Sequence, residues 1–98
     1  GQMDLQYELN VMYKNALQKY NTCKSLESKQ NANMKLSENI FKITNEQYRQ
    51  GLKSFTDVLN AQSECNTSNQ SWLNALLQIK LAELEILKLS GTINSLFL

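Results

Sequence analysis

Apolar side chains recur every seven residues along most of the chain, in two rows offset by three or four positions. In the first half Tyr13, Tyr20, Met34, Phe41 and Tyr48 form one row, with Glu27 its single charged member. Leu9, Ala16, Cys23, Gln30, Ser37 and Thr44 form the other. In the second half Val58, Cys65, Trp72, Ile79, Ile86 and Ile93 make one row, and Ala61, Ser68, Ala75, Ala82 and Leu89 its companion. A repeat of about 3.5 residues sustained over several heptads predicts coiled-coil helices with a left-handed supercoil.

Little interrupts those helices. The 98 residues contain no proline, and glycine stands only at 1, 51 and 91. Two uninterrupted stretches of roughly 40 residues far exceed the average helix of about 11–12, as in a coiled coil or a helical barrel. Gly51 suits the left-handed residue that ends a helix. Ser54 and Asp57 have the spacing of a capping box that starts the next one. The pattern therefore predicts one all-α domain: a helix over 3–50, a tip over 51–53, a helix over 54–90 and a tail over 91–98. Lys88 is expected in the last turn of the second helix, with Gly91 ending it. So short a connection forces the helices to lie antiparallel.

The rows also suggest that the hairpin is not self-sufficient. Gln30, Ser37, Thr44 and Ser68 bury little apolar area. Leu73, Leu77, Leu84 and Leu87 lie outside both rows, and a helix that is apolar on more than one face needs more than one neighbour. Both features predict a stave in a larger assembly.

Composition narrows the functional classes. Hydrophobic residues make up 42% of the chain, yet its mean hydropathy is −0.44, so a compact core would be small. The formal net charge is +1, with both signs interspersed, which offers no basic stripe for nucleic acid and no polybasic run for a membrane surface. The most apolar stretch, Trp72 to Leu89, is broken by Asn74, Gln78, Lys80, Glu83, Glu85 and Lys88, and so is not expected to span a bilayer. No signal peptide is read at residues 1–9, where the helical pattern is already under way, as in a segment of a longer protein.

Candidates for catalysis are few. There is no histidine, and neither cysteine has a partner at metal-ligand spacing. Cys23 lies 28 residues before Gly51 and Cys65 lies 14 after it. In a hairpin their heights differ by about 14 residues, roughly 20 Å. That separation excludes an intramolecular disulfide, which needs Cα atoms within about 7 Å. Each glycine stands alone, so no phosphate loop is present. Glu83 and Glu85 point to different faces. Asn66-Thr67-Ser68 and Asn69-Gln70-Ser71 match a glycosylation sequon, but inside a helix such a match is expected by chance. No enzyme, cofactor or metal is predicted.

The run from Glu46 to Gln62 contains Tyr48, Gly51, Ser54, Asp57, Val58, Leu59 and Ala61 in the order Y-x-x-G-x-x-S-x-x-D-V-L-x-A. Some thirty residues later comes Leu89-Ser90-Gly91-Thr92-Ile93. Together these resemble the outer-membrane efflux protein family, the TolC-like channels, over nearly the whole chain. The resemblance implies a trimer whose protomers join a β-barrel to a long periplasmic α-barrel. This chain would be the hairpin of the second repeat, in the periplasmic portion, touching no membrane, with one polar face toward a water-filled duct. It also implies that the tip, Gln50, Gly51 and Leu52 with Arg49 and Lys53 beside them, meets a periplasmic adaptor protein in a multidrug or type I export system.

Links that close the duct entrance are further implied for Tyr48 and Lys53, though lysine lacks the bidentate geometry of arginine. Asp57 matches a recurrent acidic position that the helix cap also explains. Where some relatives carry a second acid one turn later, this chain has Asn60. The competing reading is a stand-alone coiled-coil interaction module with partners along its helix faces and an inert tip.

Overall fold

The structure, a computed structural model, describes residues 2–97 and the side chains among them other than those of Gln2, Met3, Ile93, Leu96 and Phe97. Ile93, expected in a heptad row, thus has its side chain outside the described residues. Two helices, α1 (Gln2–Arg49) and α2 (Phe55–Phe97), fold back on each other into a rod measuring 74 × 15 × 14 Å. This is the all-α, coiled-coil-like antiparallel hairpin that the heptads predict.

Burial follows the heptad rows closely. The buried apolar side chains among the described residues are Leu9, Ala16, Val58, Ala61, Ala75, Ile79, Ala82 and Leu89, all of them row positions. Ala75 and Ala82 are the most enclosed, at 3% and 2% exposure, because small side chains let the two backbones approach. Most other row positions are half-buried. Cys23 and Cys65 are among these and are both free thiols.

Several polar members of the seam pair with nearby groups. Glu27, the charged intruder, accepts a 2.9 Å hydrogen bond from the indole Nε1 of Trp72. The hydroxyls of Ser37 and Ser68 meet across the seam at 2.8 Å. Thr44 donates to the carbonyl of Ile40, 2.7 Å away and one turn earlier, so its hydroxyl needs no partner in the seam. Among the described residues no buried side-chain nitrogen or oxygen lacks a partner.

The structure corrects two boundaries. Gly91 does not end the second helix: α2 continues to Phe97, and the hydroxyl of Thr92 donates back to the carbonyl of Lys88. Among the described residues only Gly51 has a positive φ, so Gly91 lacks the left-handed conformation that stops a helix. A lone glycine weakens a helix by about 1 kcal/mol, which two flanking helical stretches outweigh. Lys88 is accordingly not in a last turn. The connection between the helices is also longer than Gly51 to Lys53. Gln50 and Ser54 belong to it as the residues that cap the two helix ends.

Leu73, Leu77, Leu84 and Leu87 are exposed, and Leu81 joins them. Spaced three or four residues apart, these leucines form one stripe on the side of α2 opposite the seam. Among the described residues no helix is long and apolar enough to cross a membrane.

Candidate docking site at the hairpin tip

Backbone hydrogen bonds define the tip. Gly51, at φ 78°, donates its N–H to the carbonyl of Tyr48 at 3.0 Å, and the N–H of Leu52 reaches the carbonyl of Gln47 at 2.8 Å. This pair is the Schellman arrangement, which satisfies carbonyls that a helix end leaves open. Arg49 adds a positive charge in the last turn of α1, where the helix dipole favours it.

The other side of the turn is closed by a reciprocal cap. Ser54 Oγ accepts the N–H of Asp57 at 3.2 Å, while the Asp57 carboxylate accepts both the N–H and the hydroxyl of Ser54 at 3.0 Å. These bonds favour the ionised form, and the Ser54 N–H first among them holds the Asp57 carboxyl below its ordinary value of 3.8. Nearby Lys53 lowers it further.

With the N–H groups of Gln50, Gly51, Leu52 and Ser54 paired internally, the turn presents side chains outward. Leu52 is 69% exposed, and Arg49, Gln50, Gly51 and Lys53 are exposed with it. All five residues expected at a docking tip are therefore open to solvent. No ion pair ties down Arg49 or Lys53 among the described residues. The residues considered for entrance closure divide. Lys53 is free to reach outward, whereas the Asp57 carboxylate is engaged by the cap and the Tyr48 ring lies against Phe55, with centroids 5.8 Å apart.

Phe55 is the tip residue that the sequence reading passed over. It is exposed despite its contact with Tyr48. Phe55 and Leu59, four residues apart on α2 and outside both heptad rows, put two exposed apolar side chains on one face of its first turns. That spacing was the available signal.

Among the described residues no group of three histidine, cysteine or carboxylate side chains is placed to hold a metal ion. Compared with known proteins, the chain matches no protein-family model, no curated protein and no solved structure.

Proposed function

We propose that this hairpin is a stave of the periplasmic α-barrel in a TolC-like export duct, and that its tip docks a periplasmic adaptor protein. On this reading the complete protein is an outer-membrane homotrimer, and the hairpin is its adaptor-facing end. The carrying observation is a turn closed by its own hydrogen bonds that projects Leu52 from the end of a 74 Å rod. A rigid turn with an outward apolar residue loses little entropy on binding, as a contact point requires. The efflux-like motif from Tyr48 to Ala61 spans this same turn. The leucine stripe on α2, facing away from α1, suits a stave with neighbours on its other sides.

Leu52→Glu in the full-length protein is the test, because Leu52 packs against little and its replacement leaves the fold alone. Loss of adaptor capture and of export at unchanged helix content is the expected result. Export at the normal rate would overturn the proposal.

The leucine stripe by itself also supports a second reading, a coiled-coil interaction module unrelated to efflux, whose partners lie along the helices. Photo-cross-linkers placed at Leu52 and at Leu77 in cells separate the two. Partner adducts from Leu52 favour the duct, and adducts from Leu77 alone favour the module.

A further inference from the structure

The leucine stripe on α2 is a face that the hairpin itself leaves uncovered. Leu73, Leu77, Leu81, Leu84 and Leu87 are each between 50% and 67% exposed. Together they present on the order of 500 Å² of apolar surface, a large patch for a single chain. Two such faces remove about 1,000 Å² from water on meeting, the size at which a specific interface becomes stable. Leu87 also borders an open groove of about 390 Å³ between the helices, lined with it by Leu17, Tyr20, Glu83 and Ile86.

The surface around the stripe selects its match. The contact of Lys19 with Glu85, at 3.9 Å, fixes which part of α1 lies at the same height. There α1 exposes Gln18, Asn21, Thr22, Ser25 and Ser28, so the α1 of another copy offers the leucines little apolar surface. Another α2 does. Charge then selects the direction. Lys80 and Glu83 form an ion pair, 3.5 Å apart, in the middle of the stripe. Two α2 helices running the same way would set lysine on lysine and glutamate on glutamate, which is unfavourable. Reversed about a point between Lys80 and Leu81, each Lys80 comes within about 3 Å, along the axis, of the height of the partner's Glu83.

We propose that the stripe is an interface between two copies of this chain, paired antiparallel through α2 about a two-fold axis beside Lys80 and Leu81. Leu77 then faces the partner's Leu84. Leu87 lies within one residue of the height of the partner's Leu73, which seats at the groove. Each contact occurs twice, as a self-complementary two-fold interface requires. The pairing is a property of this chain and does not rest on the duct reading, in which all tips face one way and the stripe meets other helices.

Sedimentation equilibrium of the 98-residue chain under reducing conditions tests the proposal. The expected mass is twice 11.3 kDa at on the order of 100 μM. Leu77→Glu with Leu84→Glu should weaken association at least 100-fold at unchanged helix content. Leu36→Glu with Ile43→Glu, equally exposed on α1, should leave it unchanged. Lys80→Glu should weaken it about 10-fold, and adding Glu83→Lys should restore it. A spin label at the exposed Thr67, with Cys23→Ala and Cys65→Ala, reads the direction. Thirteen to fourteen residues from the axis on each copy place the two labels about 40 Å apart. A monomer at that concentration would leave the stripe to a different partner and overturn the proposal. A trimer, labels within about 20 Å of each other, or a dimer indifferent to the Leu77 and Leu84 changes would each overturn it too.

Discussion

The base and the tip of this hairpin are held together by different kinds of interaction. At the base, long helices press Leu9, Ile79 and Leu89 around the close-packed Ala16, Ala75 and Ala82. The favourable free energy there comes from apolar area removed from water. At the tip the chain must reverse within five residues, and there is too little length to bury much. The Schellman bonds at Gly51 and the Ser54–Asp57 cap take over. Geometry that hydrogen bonds satisfy internally leaves side chains such as Leu52 and Phe55 free to face outward. A region stabilised by burial has few such side chains to offer on the same face.

Substitutions should separate the two regimes by size. Ile79→Ala removes buried methyl groups from the base and should cost about 2–4 kcal/mol in urea unfolding followed by circular dichroism. A loss as small as a surface change would mean that the base is not the principal core. Gly51→Ala should cost about 1–2 kcal/mol from backbone strain alone, because a Cβ there meets nothing within 4 Å. Gly51→Asn should cost less, since asparagine tolerates positive φ better.

The cap is smaller again. Ser54→Ala should cost about 1 kcal/mol, and the effect should depend on pH through Asp57. The Asp57 carboxyl is held low when folded, so its contribution is complete above the ordinary value of 3.8 and disappears as pH falls through the lowered one. The gap in unfolding midpoint between the wild type and Asp57→Asn should therefore be open at neutral pH and close in strong acid. Gly91→Ala has the opposite sign. With Gly91 inside α2 and open space at its Cβ, the change should stabilise by about 0.5–1 kcal/mol. A destabilised variant would restore the view that the helix ends there.

Much of this molecule was legible in its local pattern. The heptad rows picked out the residues that become buried, since a coiled-coil seam is a property of spacing along one helix. The Gly51 turn and its cap were legible for the same reason: their partners lie within five residues of one another. What spacing did not reveal were pairings between the helices. Glu27 reads as an intruder until Trp72, 45 residues away, is placed beside it. Phe55 gains significance only when the turn sets it against Tyr48. Gly91 was misread because glycine only permits a left-handed stop and does not impose one. Here the helical residues on both sides prevailed.

The sequence by itself thus determined two helices, the faces they bury and the point where the chain reverses, because each depends on neighbours a few residues apart. Tertiary structure decided which polar seam residues pair across the helices, Glu27 with Trp72 and Ser37 with Ser68. It also decided which tip side chains remain open to a partner. Those outcomes depend on which residues the antiparallel packing brings to the same height, and that apposition is not encoded in either helix alone.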